Sequence, residues 1–434
     1  MPKFWTFKGG VRLPEHKERT AGKKIRDLPP PDRVIIPLAQ NAGSPPRPVV
    51  EKGQAVEEGE VIASPSGPVS STLHASVSGK VTALDDFPVP YGPPAPAVEI
   101  ETDPESSSRR RLAPLSDPSP EEIRSRALEA GVVGLGGAGF PIQVKLAPPE
   151  GTEIDCAIIN AAECEPFLTV DYRMMLESGP KVIDGLKLIM KAVGAGEGII
   201  AIEANKMDAF YKLQSLVHRE KNIRVELLQV KYPQGGEKQL IAALLGREVP
   251  SGGLPSAVGC LVQNVATAAA LSEAVREGEP LIERVVTVSG PALKSPGNFR
   301  VRIGTPFSYL VEAAGGLPEG ELKIISGGPM MGVAQAGLEV PVVKGTSGIL
   351  VVPAVHRERN LPCLHCGDCL RGCPMGLNPG DLATLVEKER WAEFEEHGGR
   401  DCIECGCCAY SCSSGRDLVQ LIKLGKEALK KVKS

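Results

Sequence analysis

The last 72 residues hold nine of the chain's 12 cysteines, and eight of those nine follow one spacing used twice. The first run is Cys363-x2-Cys366-x2-Cys369-x3-Cys373; the second is Cys402-x2-Cys405-x2-Cys408-x3-Cys412. A reducing cytoplasm disfavours disulfides, so a dense, regular thiol pattern points to metal and constrains this segment more than any apolar periodicity does. Zinc sites pair two C-x2-C units across a longer spacer, with one ion for four ligands. Three thiols on one tight loop and a fourth set apart fit that geometry poorly and fit a polynuclear cluster well. Cys407 is a further thiol beside a candidate ligand, and it competes with Cys408; Cys408 keeps the spacing. Ser413 stands where proline often follows the last cysteine. Cys156, Cys164 and Cys260 are isolated and read as buried small hydrophobes.

The doubled spacing is similar to that of bacterial two-cluster ferredoxins, in which the fourth cysteine of each run ligates the other cluster. That likeness implies two [4Fe-4S] clusters, one on Cys363, Cys366, Cys369 and Cys412, the other on Cys402, Cys405, Cys408 and Cys373.

The remaining 362 residues form a multidomain α/β protein by pattern. A net charge of −4 and 4% aromatic residues exclude a nucleic-acid binder that works by charge or by base stacking. No apolar run approaches the roughly 20 residues of a membrane-spanning helix, and the first residues lack a signal core. Any membrane association is therefore expected to be peripheral, on the cytoplasmic side and through partners. Residues 1–115 read as an extended arm followed by short strands broken by Gly and Pro. Within them, 49–63 and 68–84 resemble the barrel-sandwich hybrid of biotinyl and lipoyl carriers. The tip region 70–74 has no lysine, and Lys80 reads as a strand-edge residue, so the module is expected to be structural. Residues 103–120 are a linker, with Arg109 to Arg111 as a solvated run. Ser119 and Pro120 then open a helix. Over 116–278, strands at 154–160, 198–203 and 224–230 alternate with helices at 181–193 and 209–219, the pattern of a Rossmann-like parallel sheet. Over 279–350 the order β-β-α-β reads as a small β-grasp (SLBB-like) domain. Residues 351–434 begin as a connector and end as the helical, cysteine-rich, ferredoxin-like tail.

The segment G-L-G-G-A-G-F-P at 134–141 lets backbone amides approach a phosphate. It follows a helix rather than a strand, so it is a poor Rossmann fingerprint. Further on come N-A-A-E-C-E-P at 160–166, Y-P-Q-G-G-E-K at 232–238 and N-V-A-T at 264–267. These blocks, in this order, resemble the flavin-carrying subunit of respiratory complex I. That resemblance implies noncovalent FMN and NAD(H). Gly134, Gly136, Gly137 and Gly139 would cradle the FMN phosphate, with Lys145 paired to it. Asn160, Glu163, Tyr232, Gly235, Asn264 and Thr267 would line the flavin. Phe140 would stack on the dinucleotide, and Glu165 and Glu237 would contact its ribose or amide. Ala162 stands where that family has Asp.

Over nearly its whole length the chain resembles the RnfC family, a peripheral component of the Rnf ion-translocating electron transport complex. F-K-G-G-V-R-L-P-E-H-K at 7–17 and S-G-G-P-M-M-G at 326–332 add to the blocks above; Arg12 replaces the family's His. The resemblance implies hydride exchange with NAD(H), then single-electron transfer through two clusters to integral-membrane and ferredoxin-like partner subunits. No acid–base catalytic residue is required. Two rival readings are a cobalamin reductase of an enzyme compartment and a non-catalytic wiring subunit.

Overall fold

The computed structural model describes residues 3–291, 293–354 and 361–432. The expected connector divides there: 355–360 lie outside the described residues, whereas its first residues belong to the strand Gly348–Pro353.

The sheet that positions the site is five-stranded and wholly parallel. Its order is Phe4–Trp5, Ile223–Leu228, Glu197–Glu203, Cys156–Ala161, Cys260–Asn264. The central strands are buried almost throughout, as strands covered on both faces must be. The chain steps outward from Cys156–Ala161 through the next two strands, then returns to its other side with Cys260–Asn264. The strand order therefore reverses between these two, and open α/β sheets bind ligands at the carboxyl ends beside such a reversal. Asn160 and Asn264 are register partners at that point.

The helix expected at 181–193 runs from Val170 to Val193. Pro180 ends the helical pattern when read along the sequence, because it donates no amide hydrogen. The fold absorbs it with a kink at Ser178, and buried Met174 and Met175 hold the first half against the core. The helix after the linker is as expected: Ser119 caps Pro120–Glu129 with a reciprocal capping box to Glu122.

The N-terminal module has a four-stranded and a three-stranded sheet closed over Val34, Ile36, Ile62, Val81, Val98 and Ile100. Three expectations fail here. Residues 70–74 are not an exposed tip but a buried seam. The Thr72 hydroxyl donates to the Leu128 carbonyl, and the Ser70 carbonyl accepts from Gln143. Small hydroxylated side chains suit such a seam because they satisfy polar groups at little volume. Lys80 is not at an edge, since Gly79–Phe87 is paired on both sides. Arg109, Arg110 and Arg111 are not simply solvated either: they pair with Glu57, Glu58, Glu60 and Glu279.

The β-β-α-β unit, Glu283–Ser289, Gly297–Arg302, Phe307–Ala313 and Leu322–Ser326, lies in a six-stranded sheet. Gly348–Pro353 fills its centre and Ile25–Asp27 of the arm its edge. The arm thus adds one strand to each of two sheets and ties them together.

The tail is helical. Its two cysteine runs are conformational copies. In each, Gly367 and Gly406 take left-handed φ values of 74° and 83° and cap a one-turn helix, Asp368–Gly372 or Cys407–Ser411. Directly before the second cysteine of each run, His365 and Glu404 also have positive φ, and their amides point to Cys363 Sγ and Cys402 Sγ at 3.4 Å.

Candidate flavin cradle and cysteine centres

The glycine-rich loop lies beside the strand reversal, against the helix Val265–Arg276, which Asn264 caps. The Leu135 amide donates to Thr267 Oγ1 at 2.8 Å, and the Gly134 amide to the Phe140 carbonyl at 2.9 Å. Gly136, Gly137 and Ala138 are exposed, and among the described residues their amides find no acceptor. A Cβ at Gly136 would stand 2.7 Å from the Asn264 amide nitrogen, so no side chain fits there. A Cβ at Gly137 would meet nothing within 4 Å. Successive exposed amides without an acceptor, beside a helix N-terminus, fit a phosphate as an anion nest would. Phe140 is 38% exposed at the rim. Gly139, at φ +68°, is held from behind by the N-terminal module, where the Ala42 amide donates to its carbonyl.

Around the nest, Lys145 Nζ sits 2.8 Å from Glu237 Oε1 and 2.6 Å from the Val262 carbonyl. Asn160 Nδ2 donates to the Gly235 carbonyl at 2.8 Å. Asn264 Nδ2 donates to Asp171 Oδ2 at 2.7 Å, while Asp171 Oδ1 has no partner.

The two glutamates of the 160–166 block are already engaged. Glu163 accepts the Asp171 amide at 2.7 Å and lies 3.7 Å from Lys17 Nζ. Glu165 accepts the amides of Met330 and Met331, at 3.1 and 2.9 Å, and so latches this loop to the grasp domain rather than standing open. Burial pushes both carboxyls up to about 7. Lys17, at the end of the 7–17 motif, donates to the carbonyls of Glu163, Glu165 and Leu168 and organises the same loop. Buried Lys206 supports it from below through the Ala162 carbonyl and Glu203.

Tyr232 joins the Y-P-Q-G-G-E-K block to the arm and to the second cysteine loop. It is fully buried, and its hydroxyl donates to the Cys405 carbonyl at 2.8 Å. Its own backbone pairs with Val11 of the arm in both directions. The Gly10 amide donates to the Gly372 carbonyl, and Gly9 packs so closely on Cys373 that a Cβ would come 2.4 Å from its carbonyl oxygen.

The thiols fall into two sets. Burial pushes the Cys408 thiol up to about 12, and Cys402, Cys405 and Cys373 are its interacting neighbours. Burial likewise raises Cys369, whose thiol neighbours are Cys363 and Cys412. Cys366 lies on the tail surface, 4.0 Å from Ser413 Oγ, and Cys363 is exposed too, whereas Cys405 and Cys408 are buried. Cys407 has its thiol 3.8 Å from the Tyr232 carbonyl and also interacts with Cys405, Cys408 and Cys373. Among the described residues, no group of three or more Cys, His, Asp or Glu side chains stands close enough together to hold a metal ion. Of the isolated cysteines, Cys156 and Cys260 are buried register partners on adjacent strands, as expected of small hydrophobes. Cys164 instead accepts the Gly235 amide at 3.4 Å and lines a cavity of about 490 Å3, shared with Arg12, Lys17, Lys231 and Tyr232.

Sequence reasoning missed Asp171, Lys206, Arg284 and Lys344. None belongs to a recognisable motif; burial of Lys206, Arg284 and Lys344 in the folded chain, and a buried unpartnered carboxylate oxygen on Asp171, distinguish them.

Family comparisons agree with this arrangement. The Nuo51 FMN-binding domain matches residues 127–273, the RnfC barrel sandwich hybrid domain 5–105, and the SLBB domain 285–334. The chain is 46% identical over 402 residues to the C subunit of a proton-translocating ferredoxin:NAD(+) oxidoreductase complex from Clostridium ljungdahlii, covering 90% of this chain and 86% of that one. It is 43% identical over 432 residues, 98% of both chains, to the C subunit of the Na(+)-translocating complex of Acetobacterium woodii. A crystal structure of an NAD+-reducing [NiFe]-hydrogenase shares the fold, with a TM-score of 0.52 at 20% identity, over 71% of this chain and 63% of that one. The class is therefore a Nuo51-type flavin-domain protein carrying barrel-sandwich and SLBB domains. Within it, the chain belongs to the RnfC family, the C subunits of ion-translocating ferredoxin:NAD+ oxidoreductase complexes.

Proposed function

We propose that this chain is the NAD(H)- and FMN-binding, iron–sulfur subunit of an Rnf-type complex, passing electrons between NAD(H) and partner subunits. The amides of Gly136, Gly137 and Ala138 hold the flavin phosphate, with Lys145 and the N-terminus of Val265–Arg276 beside it. Asn160, Asn264 and Thr267 orient the flavin, Gly134, Gly139 and Gly235 leave it room, and Phe140 offers its exposed face to the dinucleotide. Glu237 is placed to contact that dinucleotide, while Glu163 and Glu165 shape the loop beneath. Bound FMN supplies the exchange between two-electron hydride chemistry and one-electron transfer. Cys373, Cys402, Cys405 and Cys408 form the centre nearer the cradle; Cys363, Cys366, Cys369 and Cys412 form the outer one, with exposed thiols toward a partner. Cys407 is left to its contact with Tyr232.

The observation that supports this reading most is the Tyr232–Cys405 hydrogen bond, which ties the Y-P-Q-G-G-E-K block, whose Gly235 carbonyl accepts from Asn160, to the second cysteine loop. No helix among the described residues is long and apolar enough to cross a membrane; attachment at the membrane through partner subunits is part of the same reading.

Anaerobic purification followed by iron, sulfide and flavin analysis tests it. About eight iron atoms, from two cubanes, and one FMN per chain are expected. Zinc in place of iron, or no flavin after reconstitution with FMN, contradicts it.

A further inference from the structure

Two cations of the grasp domain are almost completely buried beneath the glycine-rich loop, and neither has an ion-pair partner among the described residues. Lys344 is 1% exposed and Arg284 3%. Lys344 Nζ donates to the carbonyls of Gly131 and Thr72, at 2.7 and 2.9 Å, and to Ser71 Oγ at 3.3 Å. All three acceptors are neutral. The neighbouring imidazole, His74, is buried and held neutral by that burial and by the Lys344 charge. Arg284 Nε donates to the Thr346 carbonyl and its Nη2 to the Leu135 carbonyl at 2.8 Å. The acid that interacts with Arg284 is Asp171, whose own carboxyl burial pushes toward the neutral form.

Burying a charge without a counter-charge is costly, and native structures avoid it. Burial pushes Lys344 down to about 7 and lowers Arg284, which has only buried Asp171 as an opposing acid, so an anion at the loop both residues contact would favour the charged form of each. The position of the hydrogen bonds says where it sits. The Leu135 carbonyl and the Gly136 amide belong to one peptide group. An arginine donating to the carbonyl polarises that group and strengthens the amide as a donor on its opposite side. That amide is the first of the three on exposed residues without an acceptor among the described residues. The segment carrying Lys344 passes directly under the same loop, for a Cβ at Gly345 would stand 4.0 Å from the Gly137 carbonyl oxygen.

We propose that Arg284 and Lys344 are the buried counter-charge of the cradle, so that the grasp domain selects a phosphorylated flavin over riboflavin without touching it. Both are positioning residues: they act through the loop backbone. The inference rests on the flavin reading above and adds a specificity device to it. It also gives the grasp domain a role: it serves as the floor of the neighbouring domain's site rather than as a ligand-binding module of its own.

The test compares FMN with riboflavin on the full, iron-loaded chain stripped of flavin. In the wild-type chain FMN binds more tightly than riboflavin. Lys344→Gln and Arg284→Gln are each expected to weaken FMN at least about tenfold, the scale of one charge-assisted hydrogen bond, with riboflavin changed less than about twofold. Lys344→Arg keeps the charge and is expected to keep most of the preference. A purely structural role would weaken both flavins together; an unchanged FMN-to-riboflavin ratio in the Gln variants overturns the proposal. Should a Gln variant fail to retain its iron, 15N-lysine NMR of the wild-type chain decides instead, with the Lys344 signal assigned through Lys344→Arg. That signal must shift with FMN and not with riboflavin, and equal responses overturn the proposal. If the wild-type chain binds neither flavin, the flavin reading itself falls, which is a different result from an unchanged ratio.

Discussion

The cysteine tail and the glycine cradle are assembled in opposite ways. Each half of the tail is a local object: three thiols within seven residues, a left-handed glycine and one turn of helix, repeated. Its apolar cores are small, six buried residues in the larger one, and the thiols stand where a core would otherwise be. The cradle is nonlocal. Its nest comes from 134–139, its walls from strand ends around 160, 232 and 264, and its floor from a different domain. A site built locally depends on its ligands for cohesion. A site built from distant segments is held by the fold and should survive the loss of its cofactor.

The largest effect that separates the two is expected from Cys408→Ala. It should remove about four of about eight iron atoms and loosen the tail, yet leave FMN bound, as read by iron assay and visible spectroscopy. Cys407→Ala, one residue away, should keep all the iron; loss of iron there would exchange the roles of the two thiols. The mirror experiment is Gly137→Trp, which fills the nest. Flavin should be lost while the iron content stays whole, and retained flavin would mean that the phosphate lies elsewhere.

A smaller effect addresses the seam between the regions. Gly9 has φ +82° and no room for a Cβ against Cys373. Gly9→Ala should cost about 1–3 kcal/mol of backbone strain. It should lower the tail's melting temperature and slow reduction of the iron by NADH, with both cofactors still present. An unchanged rate would mean that the arm does not set the spacing.

The smallest effect concerns pH. Glu165 titrates at about 7 instead of 4.5 because it is buried. A carboxyl whose folded pKa is raised binds its proton more tightly when folded, so its contribution to stability is fullest below about 4.5 and is lost as pH rises to about 7. Glu165→Gln keeps an acceptor for the Met330 and Met331 amides without the charge. Its melting temperature relative to wild type should therefore improve between pH 5 and pH 8. A constant difference would show that the latch carries no titrating charge.

What could be read from the sequence follows the same division. The tail's candidate ligands were legible in their repeated spacing, and their crossed pairing only through the likeness to two-cluster ferredoxins; in the fold Cys408 interacts with Cys402, Cys405 and Cys373, and Cys369 with Cys363 and Cys412. The strands around 156–161 and 197–203 were legible because parallel, doubly covered strands are near-continuous apolar runs, and 223–228 by its alternation of apolar with charged residues. The first half of the helix Val170–Val193 was not, because Pro180 masks it. Nor was the edge strand Phe4–Trp5, two residues whose pairing depends on a segment more than 200 positions away. The cradle's amides were marked by glycine, but its floor was invisible. Arg284 and Lys344 sit in ordinary strand and turn sequences, and only folding places them beneath Leu135 and Gly131. Glu165 shows the limit of a motif: the residue is where the block puts it, and its carboxylate has become a domain latch.

In the proposed function electrons pass between the cradle and the second cysteine loop, whose Cys405 carbonyl accepts the Tyr232 hydroxyl. Iron-edge anomalous diffraction from anaerobic crystals of the FMN-loaded chain measures this directly. The account predicts two groups of four irons, with the group on Cys373, Cys402, Cys405 and Cys408 lying against Tyr232 and nearer the flavin ring. Irons absent from that position, or a flavin bound away from Tyr232 with the other group closer to it, would contradict the account.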